Sequence, residues 1–479
     1  MPEEDIEEDH IGQDMERLSK DVEKVLEETE RKFARCPKCG LPTHLGQDRR
    51  KAFCANCNTY YNVEMEDEGK KKLKKRDRRV STRAKIAAGA ICVAFLLLIG
   101  SFGYYFYSIE SDPGYIDIHD VNEIRDLPKA EDVSMTKMSQ QQLEIYLQET
   151  LDDETIKEIR RDEVLYKFLF IIPENWNLVD IIENESSGAG IAGLYDTEEE
   201  EMYVVGDVTS KNYVNSILSH EYTHALQDQN FDLDSIYPTG THDGDMSMLC
   251  SVEGDAMMTM QEWIDRNLNE WEKIVLSFET LMHALSALDP DGEYFSSPIL
   301  SELTYFPYLG GFQFVEKVYQ QGGMDAVNDL FTERPVLSTE QVLHFDKYLD
   351  YERPVEVTFN GDTTGLDLQF TTTVGEKMLK EVLEYYLPDT MGSAALGWGG
   401  DSFYHYTSAG ANLSILVTQW DSQEDNNHFA ADYQNLLDYK AFNGRDIYTM
   451  GGNYAYMESE GSTTTIYYSD SLSLIERYK

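Results

Sequence analysis

The stretch SKNYVNSILSHEYTHALQDQNFDL, residues 210–233, most restricts what this chain can become. Tyr213, Ile217, Leu218, Tyr222 and Leu226 recur at helical spacing, which predicts a helix over about 211–229. On that helix His220 and His224 are one turn apart and project the same way, so both imidazoles can reach one zinc ion. Glu221 follows the first histidine and points into the same cleft, where it can take a proton from a water at the metal. Two core histidines without metal are the alternative, and HExxH recurs by chance, so context must decide.

A third ligand stands downstream in LCSVEGDAMMTMQEW, where Glu253 opens an EGDA motif on a second apparent helix. A carboxylate added to two imidazoles gives three protein ligands and leaves a position for water, which separates a catalytic zinc from a structural one. A strand-like segment, GLYDTEEEEMYVVGD, precedes the helix. Met202 to Val205 is expected either to be the edge strand that lines a substrate cleft or to be an ordinary core strand. Hydrolysis of an amide also needs a donor for the developing oxyanion. The candidates are Tyr305, Tyr308, His344, Tyr404 and Tyr406, with His344 preferred because histidine is scarce and this one sits in the distinctive segment STEQVLHFDKY.

HEYTH followed by a Glu on a later helix resembles the gluzincin metallopeptidases, which include thermolysin-like and aminopeptidase-like enzymes. EGDA is similar to the Glu-Gly-x-Ala around the third ligand in the aminopeptidase branch. GGFQFVEKVYQQGG, STEQVLHFDKY, GWGGDSF and LVTQWDS look like segments of a poorly characterised group of archaeal and bacterial HExxH proteins, and the likeness covers about residues 160–440. The resemblance implies a zincin-like fold and a peptide or protein substrate. Where thermolysin-like enzymes place an Asp four residues after the ligand Glu, this chain has Met257. Asp255, or else Asp228, is therefore expected to supply the carboxylate that orients a ligand histidine.

The remaining features concern organisation. The formal charge is −48, spread along the chain, so the bulk of the protein repels nucleic acid. Cys36, Cys39, Cys54 and Cys57 form two CxxC pairs at the spacing of a zinc ribbon, which predicts a second, structural zinc. The ribbon's own partner is not identified by the sequence. Residues 70–85 are basic, and the uncharged run IAAGAICVAFLLLIGSFGYYFY at 86–107 is long enough to cross a bilayer. The positive-inside rule then places the N-terminus in the cytoplasm and the catalytic part outside, with membrane lipid as a contact.

The expected fold class is α+β. A mostly helical zincin-like ectodomain with a small sheet would follow one transmembrane helix and a small zinc ribbon. The boundaries are a charged helical segment 1–33, zinc ribbon 34–65, basic linker 66–85, transmembrane helix 86–107, stalk 108–135, catalytic domain 136–345, and a C-terminal α+β region 346–479 packing on it. The leading functional expectation is a membrane-anchored zinc metallopeptidase. Its rivals are a non-catalytic binding or sensing protein on a zincin scaffold, with the ribbon as output, and a membrane-tethered regulator that binds nucleic acid through residues 1–85.

Overall fold

The structure is a computed structural model. It describes four short strands within 33–62 and residues 118–128, 133–185, 193–205, 210–236, 239–287, 297–390, 393–441 and 446–479. The chain forms two compact units, 1–95 and 96–479.

In the first unit, β1 (Phe33–Arg35) pairs antiparallel with β2 (Pro42–His44), and β3 (Lys51–Cys54) with β4 (Thr59–Asn62). Of the four CxxC cysteines, Cys54 ends β3. Cys36, Cys39 and Cys57 lie outside the described residues.

The second unit begins with α1 (Ile118–Arg125). This stretch, expected to be stalk, is part of the core: Val121 and Ile124 pack with Leu218, Tyr222 and Ala225. A three-stranded sheet follows, with β7 (Glu201–Val205) in the centre. It runs parallel to β5 (Ser134–Met138) and antiparallel to β6 (Gly193–Asp196). Met202 and Val204 point to one face of β7, as strand alternation requires, and pack against the helix that carries HEYTH. Helices α2 (Gln140–Glu149), α3 (Asp153–Phe168) and α4 (Leu178–Glu185) lie between β5 and β6 in sequence.

The central helices are α5 (Lys211–Phe231), α6 (Leu233–Ile236), α7 (His242–Asn267), α8 (Glu270–Ala287) and α9 (Pro298–Asp329). Ser210 caps α5 by accepting the N–H of Tyr213 at 3.2 Å, and Thr241 caps α7 through the N–H of Gly244 at 3.1 Å. Two short helices, α10 (Thr339–Leu343) and α11 (Phe345–Asp350), lead to the C-terminal part.

That part is a six-stranded antiparallel sheet in the order β11-β12-β13-β10-β9-β8, built from β8 (Asp367–Thr372), β9 (Trp398–Ser408), β10 (Ala411–Trp420), β11 (Tyr448–Met450), β12 (Asn453–Glu460) and β13 (Thr463–Ser469). Helices α12 (Glu376–Tyr386) and α13 (Gln423–Lys440) cover one face. Both faces of β10 are buried: Leu416 packs toward those helices, while Leu413, Ile415 and Val417 pack toward Tyr467 and Ile475. A closing helix, α14 (Leu472–Glu476), supplies Ile475.

The start of α7 is bonded to this sheet. The N–H of Asp243 donates to Thr373 O at 3.0 Å, and the N–H of His242 to Thr372 Oγ1 at 2.8 Å. The Asp243 carboxylate in turn accepts the N–H and hydroxyl of Thr339 on α10. Gly375 is obligatory here, since it lies at φ 85° and a Cβ would sit 1.9 Å from Asp243 Oδ1. Burial pushes the Asp243 carboxyl up to about 7, against the opposing bonds from Thr339. A carboxyl with a raised folded pKa takes up a proton on folding, so its contribution to stability falls as pH rises from about 4 to about 7. Asp243→Asn keeps the acceptor and removes the ionisation. Its melting temperature relative to the wild type should therefore rise by roughly 4 °C between pH 5 and pH 8 in calorimetry, an effect on the order of 1–2 kcal/mol. A difference that is flat with pH would refute it.

Two expectations are corrected. No helix among the described residues is long and apolar enough to cross a membrane. The longest, α9, interrupts its apolar residues with Glu302, Gln313, Glu316 and Lys317. The single-pass membrane placement therefore does not stand, and with it goes the placement of the site outside the cell. The run 86–107 on which it rested lies outside the described residues. The fold is α+β, but the small sheet expected beside a helical ectodomain is accompanied by the larger six-stranded one, and the fold holds no described membrane helix.

Candidate metal centre

His220 and His224 lie on α5, and Glu253 lies on α7. Helix packing brings their side chains together. His220 Nε2 is 3.1 Å from His224 Nε2 and 3.1 Å from Glu253 Oε2, and His224 Nε2 is 3.5 Å from the same oxygen. Their candidate ligand atoms all lie within 4.8 Å of one another. All three side chains are at most 15% exposed.

The tautomer of His224 follows from its surroundings. Gln227, one turn on, accepts from His224 Nδ1 at 2.9 Å. The Gln227 amide nitrogen donates to Val252 O at 3.0 Å and to Asp255 Oδ2 at 2.8 Å. Two acceptors fix the NH₂ end, so Oε1 must face the imidazole and Nδ1 must carry the proton. His224 Nε2 is then free to receive an electrophile, either a proton or a metal cation. Burial opposes charge on His224, but the Glu253 carboxylate outweighs it and pushes the imidazole up to about 9. Burial likewise opposes charge on Glu253, but His224 and His220 hold its carboxyl well below the ordinary range. Two imidazole nitrogens and a carboxylate oxygen facing one point form a donor set suited to zinc.

Glu221 is adjacent. Burial raises its carboxyl, His220 and His224 partly counter this, and the backbone N–H of Tyr195 on β6 donates to it. Gly193 leaves the room for it, because a Cβ there would meet Ile217 at 2.9 Å and Glu221 at 3.1 Å. The edge strand beside the site is therefore β6. Met202 to Val205 occupies the central strand β7, so of its two expected roles the core strand holds and the edge strand does not.

The EGDA motif is explained residue by residue. Glu253 faces the histidines. Gly254 is the crossing point of α7 and α9, where a Cβ would lie 2.4 Å from the Gly311 carbonyl. Asp255 reaches Gln227, and Ala256 is fully buried. Close approach of the helices at Gly254 and Gly311 sets Tyr308 of α9 over the centre. Its ring stacks on His220 with centroids 6.3 Å apart, and its hydroxyl bonds Glu253. Burial and the carboxylates of Glu253 and Glu221 raise the Tyr308 hydroxyl, so it stays a donor. Gly254→Ala must push the helices apart and is expected to cost about 1–3 kcal/mol, the range for overpacking a tight contact. Denaturant unfolding checks this, and a cost below about 0.5 kcal/mol would contradict the tight crossing.

Several sequence candidates fall elsewhere. His344 pairs with Glu376 at 2.9 Å, and the charges acting on it are Glu376, Glu340 and Asp346. Its ring thus serves α12 and is not brought to the trio. Tyr404 and Tyr406 stack on each other in the C-terminal sheet. Tyr305 is half exposed on α9. Asp228 accepts the Tyr195 hydroxyl at 3.0 Å. Asp255 does not touch a histidine; it acts on Gln227 and forms a fully buried pair with Arg125, at 2.7 Å. Sequence reasoning misses Gln227 and Arg125. Gln227 has a signal, since it lies three residues after His224 on the same helical face.

Among the described residues one other cluster, Glu340, Glu352 and Asp421, has metal-like geometry. Lys347 sits among the three at 3.0, 2.6 and 2.7 Å and already neutralises them in part.

Comparison with known proteins adds one finding. Residues 349–477 match a family described as a domain of unknown function, DUF8575, a match that runs from the end of α11 through α14 and lies wholly after the HEYTH and EGDA helices. No curated protein and no solved structure matches the chain.

Proposed function

We propose that the chain is a zinc-dependent peptidase whose metal is held by His220, His224 and Glu253. The observation that carries this reading is the convergence of those three side chains beside Glu221, a carboxylate that is not itself one of the donors. A zinc ion held there supplies Lewis-acid polarisation of a carbonyl and acidifies a water. The chain's own residues do the rest. Glu221 accepts the proton of the attacking water and returns it to the leaving amine. The backbone N–H of Tyr195 holds that carboxylate in place. The Tyr308 hydroxyl, beside Glu253, takes over the role expected of His344 and donates to the developing oxyanion. The spacing of the two CxxC pairs supports a second, structural zinc on Cys36, Cys39, Cys54 and Cys57. The reading is tested by measuring zinc per chain and turnover of a mixed peptide library by the intact protein. Bound zinc with no turnover of any peptide refutes catalysis and favours a binding protein on the same scaffold.

A further inference from the structure

We propose that Arg125 is a positioning residue of the metal centre, acting on His224 through Asp255 and Gln227. The inference rests on the reading of the trio as a metal site. Arg125 ends α1, and its side chain and that of Asp255 are both 0% exposed. Its Nε donates to Asp255 Oδ2 at 2.7 Å, and its Nη1 reaches the sulfur of Met324 at 3.8 Å. The same Asp255 oxygen accepts the Gln227 amide at 2.8 Å, and Gln227 accepts from His224 Nδ1 at 2.9 Å. The four side chains form one continuous series whose donors converge on Asp255, the guanidinium from one side and the imidazole, through the amide, from the other.

Each member fixes the next. A guanidinium keeps its charge at every ordinary pH, and the Nε–H of Arg125 holds Asp255 Oδ2 in place. Asp255, so held, presents an acceptor that only the NH₂ end of Gln227 can meet. The opposite amide orientation would set Oε1 against Val252 O and Asp255 Oδ2, three acceptors facing one another. The remaining end of Gln227 must then face His224 and keep the proton on Nδ1. Without Arg125, Asp255 is a buried carboxylate lacking its counter-charge, a state that costs several kcal/mol and drives side chains to rearrange. The first to lose its hold is Gln227, and with it the orientation of the His224 ring. Helix α1 belongs to this centre by packing as well, since Val121 and Ile124 share the core of α5.

The test uses the full chain, Zn²⁺ titrated against a chelator, and the visible spectrum of the Co²⁺-substituted protein. Arg125→Met should weaken zinc binding about 10- to 100-fold, the range for residues that orient a metal ligand, and shift the cobalt bands. Gln227→Leu should do the same. In the Gln227→Leu background Arg125→Met should weaken zinc binding no further, while still lowering the melting temperature, because its effect on the metal passes through Gln227. A purely structural Arg125 would lower the melting temperature and leave zinc affinity and the cobalt spectrum of the folded protein unchanged. That result, or independent addition of the two zinc effects, overturns the proposal. If Arg125→Met fails to fold, Arg125→Lys, which keeps the buried charge and lacks the planar Nε donor, carries the same comparison with every other member of the series intact. A wild type that binds no zinc at the trio overturns the metal-site reading as well. Normal wild-type binding with an unaffected Arg125 variant overturns this inference alone.

Discussion

Glu221→Gln is expected to leave zinc bound and to lower peptide hydrolysis by about 10²–10⁴-fold, the usual contribution of a general base. Glutamine matches glutamate in shape and still offers an oxygen to the Tyr195 N–H, so the helix and the neighbouring imidazoles have no reason to move. It cannot accept the proton of an attacking water. Burial raises the Glu221 carboxyl from its ordinary value. That shift suits a group which must take a proton in one step and release it in the next. The experiment pairs zinc analysis with kcat for a cleaved peptide. Hydrolysis within tenfold of wild type at full zinc occupancy would remove Glu221 from the mechanism. Loss of zinc along with activity would show instead that the substitution disturbs the trio.

How much of this is legible in the sequence depends on how far apart the partners stand. HEYTH is local, and the helix that carries it follows from apolar spacing, so His220, His224 and Glu221 can be placed from that spacing alone. Glu253 can be found because EGDA sits on a helix of its own. The purpose of Gly254 cannot, since it depends on a crossing with Gly311 that only packing creates. Arg125 is 130 residues from Asp255, and no pattern in either segment announces the pair. Nor can the sequence choose among the oxyanion candidates. Tyr308 and His344 are both conspicuous in sequence, but the helix crossing delivers Tyr308 to Glu253 while α12 captures His344 through Glu376. The segment MYVVG reads as a strand, but its central place depends on β5 pairing along its far side. The C-terminal sheet reads only as an α+β region because its strands pair across long separations, Leu413 with Ser469 for example.

Removing one ligand of the trio is the second large effect. Structural zinc sites bind with about 10–16 kcal/mol, so one ligand in three or four carries roughly 3–4 kcal/mol, or two to three decades in affinity. His224→Ala should therefore strip the centre at chelator concentrations that leave the wild type loaded, and hydrolysis should vanish with the metal. The loss is sharpened locally. His224 ends the series of bonds that starts at Arg125, and alanine leaves Gln227 Oε1 without its imidazole partner. Glu253 loses the larger source of the positive charge that holds its carboxyl down, though His220 stays at 3.1 Å. With a second zinc expected on the four cysteines, the zinc content should fall from two per chain to one rather than to zero. Cys36→Ser/Cys39→Ser should show the converse: one zinc lost, and hydrolysis by the remaining centre retained. Two zinc ions per chain in the His224→Ala protein would mean that the trio is not a metal site, whatever its geometry. If instead the cysteine variant alone abolished hydrolysis, the chemistry would have to be sought at the four cysteines, and the Glu221 carboxylate beside two imidazoles would need another explanation.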